Sequence, residues 1–86
     1  MLVKIPSPLR SYSYNQSEVQ ASGQTVAEIL ADLDKQFPGI RFRMIDERGA
    51  IRQHIKIYVN HNQIKNTDVQ LSGQEVISIV CALSGG

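Results

Sequence analysis

Eighty-six residues, 42% of them hydrophobic, suffice for one compact domain spanning 1–86 and exclude two domains with a deep catalytic cleft between them. Nine Lys and Arg against eight Asp and Glu leave a net charge of +1, which supplies no long-range field for gathering nucleic acid or coating an anionic membrane. The single cysteine, Cys81, excludes an intramolecular disulfide, and no apolar run is long enough to cross a bilayer, so a cytoplasmic protein without a leader is expected.

Leu2 to Ile5 favours a strand, and Pro6-Ser7-Pro8 ends it because proline cannot donate to a ladder. Ser17 to Ser22 alternates polar with apolar through Val19 and Ala21, after the turn formers Tyr14-Asn15-Gln16, so these two strands are expected to pair as an opening hairpin. Thr25 stands three residues before Glu28, the capping-box spacing in which each side chain satisfies the other residue's backbone N–H. A helix is predicted from Thr25 or Val26. Val26, Ile29, Leu30, Leu33 and Phe37 recur at three and four and form its buried stripe, with Glu28, Asp32, Asp34 and Lys35 off it, and Pro38-Gly39 stops it.

Ile40 to Glu47 reads as a short irregular helix with Ile40, Met44 and Ile45 on one face, although Arg41-Phe42-Arg43 also alternates like a strand. Arg48-Gly49 turns the chain into a half-buried strand over Ile51 to Asn60, with Ile55, Ile57 and Val59 on one side and His54, Lys56 and Tyr58 on the other. Asn60-His61-Asn62-Gln63 is read as a turn, and the short Ile64-Lys65 segment follows. Ser72-Gly73-Gln74 makes the last turn before a final strand from Glu75 to Cys81. Ile77, Ile79 and Cys81 share its inner face, while Ser78 marks the other face as outward and so places Val80 in solvent. A hairpin, a capped helix and further strands in this order suit an α+β chain of β-grasp type, a mixed sheet of four to five strands on one main helix with a flexible tail, 82–86; the order alone also permits other small α+β folds, and the tail decides between them.

The chain ends Leu83-Ser84-Gly85-Gly86, and with Gly at about 7% of residues two of them in terminal position arise by chance in roughly 0.5% of chains. Gly-Gly at the end, a final strand after Ser72-Gly73-Gln74-Glu75-Val76, and Tyr58-Val59-Asn60 together resemble the ubiquitin-like sulfur carriers, the family of the molybdopterin synthase small subunit and the thiamine sulfur carrier. Ile5-Pro6 with Leu9-Arg10, Gly23-Gln24-Thr25-Val26, Phe37-Pro38-Gly39-Ile40 and Asp46-Glu47-Arg48-Gly49 look closest to the carriers of cysteine biosynthesis.

That resemblance implies a cosubstrate rather than an enzyme, or the small subunit of an enzyme complex. Gly86 is then the covalent site, adenylated and converted to a thiocarboxylate that donates sulfur in cysteine, molybdopterin or thiamine biosynthesis. No cofactor is bound; ATP is used by the partner, an adenylyltransferase of ubiquitin-activating type. A sulfur-accepting enzyme of cysteine synthase or molybdopterin synthase large-subunit type follows, and a metalloprotease that processes the carrier adduct belongs to the same set. Glycine without a Cβ lets Gly85 and Gly86 thread a narrow channel. Ala82, Leu83 and Ser84 give reach, about 17 Å for five extended residues. Val80, Tyr58 and Ala82 are the candidate docking residues.

Two other readings use the same residues: a protein modifier joined through Gly86 to lysines, and a non-covalent β-grasp interaction module. Cys81 is expected to pack inward as a small apolar residue, with capture of the acyl group as its sharper alternative. His54 and His61 lack the further ligands a metal needs. Arg41, Arg43, Arg48 and Arg52 make a basic stretch interrupted by Asp46 and Glu47, better suited to solvent or an acidic partner than to RNA, since only Phe42 is available to stack.

Overall fold

The computed structural model describes residues 1–82. Five strands and two helices follow in the order β1 (Leu2–Lys4), β2 (Glu18–Gln20), α1 (Val26–Gln36), α2 (Ile40–Met44), β3 (Ile55–Val59), β4 (Asn62–Ile64) and β5 (Ile77–Cys81), with a 3-10 turn at Ser7–Leu9 between β1 and β2. They form one mixed sheet in the order β2-β1-β5-β3-β4. β1 and β2 are antiparallel with Val3 opposite Val19, so the opening pair forms as the alternation predicts. Its connection is longer than a tight hairpin because Pro6-Ser7-Pro8 does more than end β1: proline at the start of a 3-10 turn sits where its missing N–H costs nothing.

α1 begins at its Thr25 cap, whose Oγ1 accepts the Glu28 N–H at 3.2 Å. The other half of the expected capping box is displaced by one residue, for Glu28 Oε1 accepts from the Gln24 N–H at 2.8 Å. Tertiary contacts tie down the same helix start. Thr25 is bridged to Gln70, and the carbonyls of Val69 and Thr67 accept the first helical N–H groups of Val26 and Ala27, which the helix itself leaves unpaired. The predicted stripe Val26, Ile29, Leu30, Leu33 and Phe37 is buried against Val3, Ile57, Ile77 and Ile79 of the sheet. Gly39, at φ 99°, ends the run, and Asp34 Oδ1 accepts from the N–H groups of Gly39 and Arg41 at the start of α2.

Gly23 is required by close approach. A Cβ there would lie 2.8 Å from the backbone nitrogen of Ile29 and 2.9 Å from the Glu28 carbonyl carbon, and backbone in a helix cannot yield as a side chain tip can. Gly23→Ala is therefore expected to lower stability by about 1–3 kcal/mol, the usual cost of forced overpacking; thermal unfolding measures it, and an unchanged midpoint would show that the α1 entry shifts freely.

Several predicted elements differ in extent: β1 ends at Lys4 rather than Ile5, β2 spans Glu18–Gln20 rather than Ser17 to Ser22, and α2 ends at Met44 rather than Glu47. The strand read over Ile51 to Asn60 pairs only over Ile55–Val59, since Ile51 bridges to Ile45 instead. The turn read over four residues tightens to Asn60 and His61, with Asn60 at φ 55° and Asn62 and Gln63 taken into β4 opposite Val59 and Tyr58. The last strand starts at Ile77 rather than Glu75, because Glu75 is occupied by the preceding turn.

Candidate functional site

β5 lies in the interior of the sheet, parallel to β1 (Val3 opposite Ile77, Lys4 opposite Ser78) and antiparallel to β3 from Ile55 opposite Cys81 to Val59 opposite Ile77. The ladder runs one residue further, the Ala82 N–H donating to the His54 carbonyl at 2.7 Å. The segment that leads to the chain end is thus held on a central strand up to Ala82. Leu83, Ser84, Gly85 and Gly86, singled out above for threading and for the covalent site, lie outside the described residues.

The entry to β5 is built by Glu75. Its Oε1 accepts from the N–H groups of Ser72, Gly73 and Gln74 at 3.0–3.2 Å, and its Oε2 from Ser72 at 2.9 Å. These bonds, led by the Ser72 N–H, hold the carboxyl down at about 2, against an ordinary value of 4.5. A pKa lower in the folded than in the unfolded chain means that this stabilisation is complete above pH 4.5 and is lost as pH falls towards 2. Glu75→Gln is expected to flatten that part of the stability profile while leaving the profile above pH 5 parallel to the parent; denaturant unfolding at a series of pH values reads it. A variant as acid-sensitive as the parent would assign the loss to other carboxylates. Asp46 works in the same way at its own turn, its carboxyl lowered chiefly by the N–H groups of Ala50 and Arg48.

Of the candidate docking residues, Val80 is 41% exposed on the outer face, as the alternation requires. Tyr58 is half-buried on that same face, but the register pairs it with Ser78, while Val80 faces Lys56. The two are diagonal neighbours, so the patch around Val80 is mixed rather than apolar. Lys4, next to Ser78 on β1, adds a second cation to this face. Ala82 is half-buried beside His54 and Lys56. Cys81 packs against the core, and burial pushes its thiol up, which disfavours the nucleophilic thiolate. Among the described residues, no three His, Cys, Asp or Glu side chains gather as metal ligands, and no helix is long and apolar enough to cross a membrane.

Sequence reasoning missed one arrangement. Arg52 donates through Nε to the Phe42 carbonyl at 2.7 Å and lays its guanidinium 4.5 Å from the centre of the Phe42 ring. The only hint in the chain is an exposed aromatic placed between two arginines of a basic stretch.

The family model of the ThiS family matches residues 3–86, nearly the whole chain, from within β1 onward. The chain belongs to the ThiS family. The ubiquitin-like β-grasp and the resemblance read from the residues are both upheld. The sulfur carrier protein CysO of Mycobacterium tuberculosis is 29% identical to this ThiS-family chain over 89 aligned residues, covering 98% of this chain and 96% of the relative. The crystal structure of M. tuberculosis CysO superposes with a TM-score of 0.90 at 28% identity, over 95% of this chain and 98% of that one. The Amycolatopsis orientalis BexX/CysO complex contains a chain similar at a TM-score of 0.91 and 28% identity, over 99% and 98% of the two chains.

Proposed function

We propose that this ThiS-family sulfur carrier bears its sulfur on the carboxylate of Gly86 and acts as a cosubstrate in the cytoplasm. A carboxylate oxygen attacks the α-phosphorus of ATP in the partner's active site, and pyrophosphate leaves. Sulfide, or a sulfur donor equivalent to it, then attacks the acyl carbon and AMP leaves, so one carboxylate oxygen has been exchanged for sulfur. The thiocarboxylate sulfur is a nucleophile for an accepting enzyme. The observation that carries this reading is the family match running through to the terminal Gly-Gly, beyond a strand held at the centre of the sheet. The fold leaves the chemistry to its partners: β5 delivers the tail, and Gly85 and Gly86 supply a backbone slim enough to lie against a nucleotide.

Cysteine biosynthesis is the favoured destination, supported by the likeness to CysO over nearly full length on both sides. The partners are an adenylyltransferase of ubiquitin-activating type, an accepting enzyme and a metalloprotease that releases the product; a neighbour in this fold seen in complex with BexX supports binding to a second protein. The test is intact-mass analysis after incubation with the adenylating enzyme, ATP and a sulfide donor. One oxygen replaced by sulfur, mapped to Gly86 by fragmentation, is the expected result. An unchanged mass with an enzyme active on other carriers, or a lysine-linked adduct in place of the exchange, would overturn the reading.

A further inference from the structure

The charge of this near-neutral chain is unevenly placed. Arg41, Arg43, Arg48, Arg52 and Lys56 fall within sixteen residues together with only Asp46 and Glu47, so the rest of the molecule is net acidic. The fold sorts these cations further. Phe42, Arg43, Arg52 and His54 line a hollow of about 250 Å³, and His54 also belongs to a second hollow, of about 530 Å³, shared with Gln53, Lys56 and Ala82. The two hollows meet at the residue whose carbonyl holds the Ala82 N–H. A band of positive charge therefore leads from α2 to the root of the tail.

Arg52 is the fixed point of that band. Its backbone N–H donates to the Met44 carbonyl at 2.9 Å, its Nε to the Phe42 carbonyl at 2.7 Å, and its guanidinium rests on the Phe42 ring. An arginine that hangs free loses much of its binding energy to side-chain ordering; one already held gives up less when its remaining N–H groups meet a carboxylate. Phe42, 54% exposed, adds a surface on which a partner's chain can lie. The opposing charge nearby is Asp46, whose carboxylate feels both Arg48 and Arg52 but is committed to the N–H groups of Ala50 and Arg48.

The geometry points to a docking surface, formed by Arg43, Arg52 and His54 around Phe42 and continued by Lys56, for an acidic segment of the protein that receives the tail. An acidic peptide fits better than RNA: Phe42, the aromatic that lines this band, is covered on one face by Arg52, leaving no row of stacking platforms there. It also fits better than the nucleotide, because the carboxylate to be activated is four residues beyond Ala82, a reach of up to about 14 Å. The identity of the partner rests on the carrier reading; the surface itself does not.

The experiment is a titration of the ¹⁵N-labelled full chain with an octaglutamate peptide. Amide shifts are expected to concentrate at 42–43, 52–56 and 82. Arg43→Gln, an exposed position, and Arg52→Gln should each weaken binding about three- to ten-fold, as for partly desolvated charge pairs. Arg52→Lys should recover only part of the loss, because it restores the charge and not the fork. Lys35→Gln, at an exposed position in the last turn of α1, should bind within about two-fold of the parent, since it removes an equal charge from a residue that lines neither hollow. Shifts spread evenly over the surface, an equal loss for Lys35→Gln, or octauridylate displacing the peptide at these residues would overturn the proposal. With the adenylating enzyme, Arg43→Gln should raise KM with kcat little changed. Failure of sulfur loading in the parent would count against the carrier reading alone, while the peptide titration still decides the surface.

Discussion

A chain lengthened by one alanine after Gly86 is expected to yield no thiocarboxylate, and Gly85→Val to lose at least about 100-fold in its rate of formation. On the proposed reading, the first change removes the carboxylate from the position where it would meet ATP; the second puts a branched side chain on backbone that lies close to the nucleotide. Misplacing a reacting group by an ångström is enough for losses of that order. Both variants should fold as the parent does, since the buried core runs from Val3 to Ile79 and β5 is anchored by Val3, Val59 and Ile55 before the altered residues are reached. Intact-mass analysis beside thermal unfolding separates the two effects. Sulfur appearing on the lengthened chain at the parent's rate would sink the assignment of Gly86, whatever the fold.

Ile77→Ala should produce the largest loss of stability among conservative truncations on β5. Ile77 has no exposure, stands between Val3 on one side and Val59 on the other, and joins the cluster that includes Leu30 and Ile57. Removing its outer carbons forfeits transfer free energy and leaves a cavity that two flanking strands prevent from closing, a combination costing about 2–5 kcal/mol. For a chain of this size each kcal/mol lowers the midpoint by about 4–8 °C, so a fall of more than 8 °C is expected by calorimetry. Val80→Ala, at the exposed face of the same strand, should change the midpoint far less. Equal losses at the two positions would contradict the inward and outward faces assigned to β5. Because β5 carries the tail, sulfur loading of Ile77→Ala should fall at temperatures near its midpoint and recover below it.

The readable parts of this protein are those whose signals are local. The three- and four-residue spacing from Val26 to Phe37 marks the buried side of α1 because a helix repeats every 3.6 residues whatever it packs against. The alternation Ile55, Ile57, Val59 and Ile77, Ile79, Cys81 marks the inner faces of β3 and β5 for the same kind of reason, and places Val80 outside. Element ends were less legible. Thr25 caps α1 as its spacing says, yet Glu28 turns to Gln24, and the loop carrying Val69 and Gln70 closes over the helix start, a contact across more than forty residues. Glu75 reads as the first residue of a strand, but its carboxylate is drawn back onto Ser72, Gly73 and Gln74.

The sequence by itself determined the family, the helix with its buried stripe, the two central strands with their faces, and the Gly-Gly end on which the proposed chemistry rests. Each of these is encoded in consecutive residues, through backbone period or covalent position. Tertiary structure alone decided the strand order β2-β1-β5-β3-β4, the parallel pairing that seats β5 in the interior, and the placing of Lys56 rather than Tyr58 opposite Val80. It also decided that Arg52 lies on Phe42 and that His54 receives the last described N–H. Such contacts join residues far apart along the chain, and which of them form depends on how the whole core closes.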